Sequence, residues 1–359
     1  MNRWIEKNPY PRFTSPVRFK LSQAQQEDLQ SFIRARNFLQ FDHVTGWLIW
    51  SSTYAHTEHN YDRVPKKGIL RIAASGDSFT FCDGRQIKDC WVELLRHQNK
   101  VESLNFGVSR YGMDQAYLRY KEYGRSFKPN VVLIAFQPEN TLRHVNVFRP
   151  FYTLQDSPPF TKPRFILKAG RLTLLENPFK RVEDYNALLT KESETLRILG
   201  QHDFYYRLFA WHDNRLFPPS LKFFEHLYMT VRAKALKRTI VTPKRFIKSS
   251  EAFQITTQIL DHFYDDVIKD GGRPIVVFLP RKDDILSFVK YKESTYQPFM
   301  DHLKENGKDF IDTMNGFEQE LTLGFMQDYF QGGHYTSKGN RIVARTVLER
   351  LADRHLLPN

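Results

Sequence analysis

Between Gly68 and Phe136 the apolar positions alternate between two rhythms. Ile69–Ala74 is a short apolar run of strand length. Arg85–His97 repeats at helical spacing through Ile87, Trp91, Leu94 and Leu95. Val101–Phe106 reads as a second strand, and Met113–Phe127 as a helix with Ala116, Tyr120 and Tyr123 on one face. Val131–Phe136 is apolar at every position, the signature of a strand covered on both faces. The rhythm resumes late in the chain. It predicts a helix over Glu251–Asp270, a strand over Pro274–Leu279 and a helix near Tyr291–Asn306. A strand over Asp309–Asp312 and a helix from Ser337 to about Leu351 follow. Strands alternating with helices predict βαβ units with right-handed crossovers. The expected fold is a three-layer α/β/α domain around a five-stranded parallel sheet.

Two stretches break the rhythm. Residues 1–66 are irregular apart from a helix over Ser22–Asn37, whose start carries a capping pair, Ser22 and Gln25. Asp42–Trp47 reads as a turn into a short extended piece, and the whole segment is expected to wrap against the main domain. Residues 141–250 form a second interruption, rich in aromatic and basic residues, with Pro150, Pro158, Pro159 and Pro163 marking loops. A mainly helical insertion is expected there. The predicted organisation is therefore 1–66 as a wrapping segment, 67–140 with 251–359 as the α/β domain, and 141–250 as the insertion. Within it, Leu221–Leu236 reads as an amphipathic helix with Phe224, Leu227, Tyr228, Val231 and Ala235 on one side. Such a stripe is expected to pack on its own domain.

Composition adds a sign and a compartment. With 359 residues, 41% hydrophobic and 30 Phe, the chain can bury a sizeable core. The net charge of +13 favours anionic partners. It is concentrated in part at Arg232–Lys248, which holds seven Lys or Arg and no acid. This stretch reads as a solvated helix end, with peripheral contact to an anionic glycan or membrane surface as the sharper alternative. No recognisable nucleic-acid-binding motif is present, so no nucleic-acid partner is expected. Cys82 and Cys90 are the two cysteines; they make no disulfide framework or metal cluster and read as small buried residues. No apolar stretch reaches the length of a membrane span. Met1–Lys7 lacks the apolar core of a signal peptide. A cytoplasmic location is the default expectation, or export if a leader has been trimmed. His56 and His59 beside Glu58 lack helical ligand spacing and an evident third ligand. No motif implies a metal or an organic cofactor.

Candidate chemistry sits where strands end. Gly76-Asp77-Ser78-Phe79 follows the first apolar strand directly, a position that presents a hydroxyl at the carboxyl edge of a parallel sheet. Gly332-Gly333-His334 lies far along the chain, and a serine needs a base to become a nucleophile. Asn105-Phe106-Gly107-Val108-Ser109 and Asn140 occupy the ends of the second and third strands.

This ordered set resembles the SGNH (GDSL-type) hydrolase superfamily over about residues 70–140 and 250–355. The resemblance implies a flavodoxin-like fold, Ser78 as nucleophile and His334 as its base. It implies an oxyanion hole from the Ser78 backbone N–H, a backbone N–H near Arg110, and the Asn140 side chain. Arg110 stands where the family usually has glycine, and could narrow the pocket or bind an anionic substrate. The third block keeps only its asparagine. The family's aspartate two or three residues before the histidine is replaced by Gly332 and Gln331. Asp328 is the nearest upstream acid, so a Ser–His dyad, a triad through Asp328, and orientation by a backbone carbonyl all remain open. The expected activity is hydrolysis of an O-acyl ester on a carbohydrate or related molecule. Tyr111, Phe148, Phe151 and Tyr152 could stack on sugar rings, though core packing is the commoner use of such residues. An O-acetyltransferase using the same site is the near alternative, and a non-catalytic binding or assembly protein the distant one.

Overall fold

The computed structural model describes residues 19–34, 39–49, 61–154, 156, 158–210, 222–321 and 326–358. His56 and His59 lie outside these. The chain divides into two compact units. One takes in Ile49–Thr141, Thr242–Lys248 and Thr256–Asn359; the other takes in Met1–Leu48, Leu142–Val241 and Ser249–Ile255.

The first unit is built on five strands: β1 (Leu70–Ser75), β2 (Val101–Asn105), β3 (Val131–Phe136), β4 (Arg273–Phe278) and β5 (Phe310–Asp312). All pair in parallel, in the order β2-β1-β3-β4-β5. This is the doubly wound order whose direction of winding reverses between β1 and β3. β3 is buried along its whole length, as its unbroken apolar run predicts.

Right-handed crossovers place helices on both faces. On one, Met113–Glu122 meets Glu251–Lys269: Tyr117 Oη donates to Asp266 Oδ2 at 2.6 Å and Tyr120 Oη to Asp270 Oδ2 at 2.9 Å. Burial and these carboxylate bonds push the Tyr117 and Tyr120 phenols well above the usual tyrosine range. On the other face, Trp91–Leu94 packs beside Ser337–Asp353, where the Trp91 N–H reaches Asn340 Oδ1 at 3.4 Å. The long helix starts at Thr336, whose hydroxyl caps the Gly339 N–H at 3.2 Å.

Several boundaries differ from the periodicity. The stretch read as one helix over Arg85–His97 is a 3-10 turn at Ile87–Asp89, a single turn at Trp91–Leu94 and a further 3-10 turn. Cys82 and Cys90, read as small buried residues, are buried and form a disulfide with each other. A helix not marked by the periodicity, Lys282–Tyr291, precedes the one expected near Tyr291–Asn306, which runs over Gln297–Glu305. Lys292 ends the first with a left-handed φ of 57°, and Pro298 opens the second.

In the second unit, residues 19–34 and 39–48 of the N-terminal segment group with the insertion. The helix is Gln23–Arg34, with Ser22 and Gln25 bonded reciprocally at 3.0 and 3.2 Å as their spacing predicts. Gln25 Nε2 also donates to the carbonyls of Leu154 and Asp156. Trp47 stacks on Phe160 with ring centroids 4.9 Å apart, and Phe32 meets the same ring edge-on at 5.1 Å. The insertion is mixed, with an antiparallel hairpin of Arg164–Lys168 and Arg171–Leu175 among its helices. Asp203 gathers the backbone N–H groups of Val147, Phe148 and Tyr205. Phe148 and Phe151 are buried core residues, as is Tyr111 in the first unit, so none of the three offers a face to a sugar. No helix among the described residues is long and apolar enough to cross a membrane.

Candidate active site

At the end of β1 the chain turns through Gly76 and Asp77 into one helical turn, Ser78–Phe81. A side chain on Gly76 would place its Cβ 2.1 Å from Thr80 Oγ1, so close packing, not backbone angle, demands glycine there. Asp77 caps the turn by accepting from the Phe79 N–H at 2.9 Å. As first residue of the turn, Ser78 keeps an N–H that needs no intrahelical acceptor.

His334 arrives on a tight hairpin. Phe330–Gln331 pairs antiparallel with His334–Tyr335, and the two residues between, Gly332 and Gly333, have φ of 57° and 86°. Two successive positive φ angles define the turn that glycine pairs favour. Phe79 packs on the imidazole with ring centroids 5.1 Å apart and on Tyr335 at 4.8 Å. His334 Nε2 lies 2.9 Å from Ser78 Oγ. For the hydroxyl to donate across that distance, the imidazole proton sits on Nδ1 and Nε2 accepts.

Asn140 lies at the end of β3, across the switch point from Ser78. It is fully buried, and its Nδ2 donates to Asp77 Oδ2 at 3.1 Å. One of its two amide protons is thereby committed to Asp77. The second block has a structural job as well. Asn105 Nδ2 donates to the Thr80 carbonyl at 2.7 Å, while its Oδ1 accepts from the Gly107 N–H at 2.8 Å. A Cβ on Gly107 would stand 2.4 Å from the Phe81 backbone nitrogen, so the block presses directly on the nucleophile turn. Arg110 has a φ of 69°, the left-handed conformation that explains why glycine is the easier residue there.

The structure departs from the sequence reading in the acid. Asp328 lies 4.0 Å from Lys338 Nζ, and its carbonyl accepts from Thr336 Oγ1 at 2.5 Å. Gln331, three residues before His334, accepts from Arg85 at 2.9 Å. Asp83, through its carboxylate, interacts electrostatically with His334. Its N–H donates to the Ser78 carbonyl at 3.0 Å, and its carboxylate accepts from Ser109 Oγ. Burial raises the Asp83 pKa above the ordinary 3.8, opposed by the Ser109 bond and by the charges of His334 and Arg110. Asp83 follows Ser78 by only five residues, and no spacing rule marks it. Ser78 and His334 thus stand within hydrogen-bond distance of each other, Asn140 is bonded to Asp77 beside Ser78, and Asp83 is the neighbouring residue that the sequence pattern did not mark.

No protein-family model matches the chain, and no curated protein matches it. Among solved structures, similarity extends to a GDSL-like lipase from Bacteroides thetaiotaomicron, at 12% identity over 84% of this chain and 96% of that one, with a TM-score of 0.39. An acetylxylan esterase from Geobacillus stearothermophilus gives 12% identity over 80% and 96%, with a TM-score of 0.40. A member of the lipolytic protein G-D-S-L family from Veillonella parvula gives 11% over 79% and 98%, with a TM-score of 0.37.

Proposed function

We propose that this protein is a serine esterase of SGNH type acting on an O-acyl ester, with an O-acetylated carbohydrate as the expected substrate class. The observation that carries this reading is the 2.9 Å approach of His334 Nε2 to Ser78 Oγ at the switch point of a parallel sheet. Ser78 Oγ attacks the ester carbonyl carbon while its proton passes to His334 Nε2. Charge develops on the carbonyl oxygen, where the Ser78 N–H, the backbone N–H at Arg110 and Asn140 Nδ2 act as donors. The bond to the leaving alcohol breaks, and His334 returns the proton to that alcohol. Water then repeats the sequence against acyl-Ser78, releasing the acid and restoring the serine. Among the dyad, Asp328 and backbone-carbonyl alternatives, the electrostatic interaction between Asp83 and His334 supports Asp83 as a further candidate for the acid beside the histidine. An acyl acceptor hydroxyl in place of water would make the same site a transferase. The Cys82–Cys90 disulfide favours an oxidising compartment over the cytoplasm.

The test is hydrolysis of p-nitrophenyl acetate and acetate release from acetylated glycans by wild type, Ser78→Ala, His334→Ala and Asn140→Ala. Folded serine and histidine variants should fall to background. Asn140→Ala should lose roughly 10²-fold or more in kcat, as expected for one oxyanion donor. Equal rates in all four proteins would refute the esterase reading.

A further inference from the structure

The helix Lys222–Lys237 turns its apolar stripe outward. The sequence pattern groups Leu227, Tyr228, Val231 and Ala235 on one side, where burial against the domain is expected. In the structure Leu227 is 51% exposed, Tyr228 36% and Val231 59%. Met229, Ala233 and Leu236, on the other side, are the more covered residues. The stripe through Leu227 and Val231 continues, at helical spacing, to the exposed Lys234 and Arg238. The outward face is thus apolar in its first half and cationic in its second. Arg232 lies with its guanidinium 5.5 Å from the Tyr228 ring centroid, adding a third positive charge beside the apolar ridge. From His226 to Lys248 the sequence holds no acid.

We propose that this face docks the protein peripherally on an anionic lipid bilayer. A surface-lying helix places its apolar side chains at the acyl boundary and its Lys and Arg at the headgroups. Tyr228 has the amphipathic ring that suits that depth, and long cationic side chains reach the headgroups while their stems stay in apolar surroundings. The absence of acids along the stretch supplies the charge complementarity. Since no described helix is long and apolar enough to span a bilayer, this contact is superficial and salt-sensitive. The inference stands independently of the esterase reading.

The test is co-sedimentation of the full chain with phosphatidylcholine vesicles, with and without phosphatidylglycerol. Wild type should pellet with the anionic vesicles, stay in solution with neutral ones, and be released by salt. Lys234→Gln with Arg238→Gln should weaken partitioning about 25-fold, roughly fivefold for each charge removed. Leu227→Ser with Val231→Ser should abolish it at unchanged thermal stability, because these side chains are exposed in the folded chain. Wild type that ignores anionic vesicles overturns the proposal, as does equal pelleting of both variants. Light scattering that shows a dimer dissolved by Leu227→Ser with Val231→Ser assigns the face to a second copy and likewise overturns it.

Discussion

Asp83 and Arg110 are the residues at which this site departs furthest from its sequence pattern. Asp83 is pushed toward its protonated form by burial and held ionised by Ser109, His334 and Arg110. An acid with a raised pKa loses its charge earlier as pH falls, so its support of His334 is lost above the usual carboxylate range. Asp83→Asn should lower kcat roughly 10²-fold, the lower end of what positioned acid–base catalysis contributes, with little change in KM. It should also alter the acid limb of the pH–rate profile, whereas Asp328→Asn should leave both unchanged. Arg110 holds a φ of 69°, which is costly for any side chain with a Cβ. Arg110→Gly should stabilise the fold by about 1 kcal/mol, read as a raised Tm, while retaining the backbone N–H. The sequence shows Arg110 as a substitution at a glycine position. The conformation shows what glycine would be doing there.

At the scale of elements, the Ser78–Phe81 turn is held from three sides: Asn105 on the Thr80 carbonyl, Trp91 Nε1 on the Phe79 carbonyl at 3.1 Å, and the Cys82–Cys90 disulfide at its end. Reduction or Cys82→Ala with Cys90→Ala should cost about 2–3 kcal/mol by the loop-entropy account, measured by denaturant unfolding. The same variant should lower kcat more than KM, because the turn it frees carries Ser78. Strands β1, β3 and β4 were legible because central strands are apolar on both faces. The helix over Arg85–His97 was misread because its spacing is helical while the chain there runs through three separate short turns. Pro298 and the Gly332-Gly333 pair were available signals for a helix start and a two-residue hairpin.

For the whole molecule, both units hold buried carboxyls that are hard to ionise, Asp203 in one and Asp312 among those of the other. Burial raises Asp203 from the ordinary 3.8 to about 6, against the pull of three backbone N–H groups. Burial likewise raises Asp312 at the end of β5 to about 6, against its bonds to the Met314 N–H and the Tyr296 hydroxyl. Between pH 3.8 and about 6 the folded chain binds more protons at these sites than the unfolded chain does. Their contribution therefore makes stability fall as pH rises through that window. Asp203→Asn and Asp312→Asn should each flatten part of that slope in thermal melts recorded from pH 4 to 7. The sequence by itself determined the parallel α/β architecture, the strand ends that carry Ser78 and Asn140, and the candidacy of His334. Hydrophobic periodicity and turn chemistry are local, and they report local structure. Only the tertiary structure decided the acid beside the histidine, the pairing of the cysteines, the unit to which the N-terminal helix belongs, and the outward turn of the Leu227–Val231 stripe. Each of those depends on which distant surfaces meet, and spacing along one chain does not encode that contact.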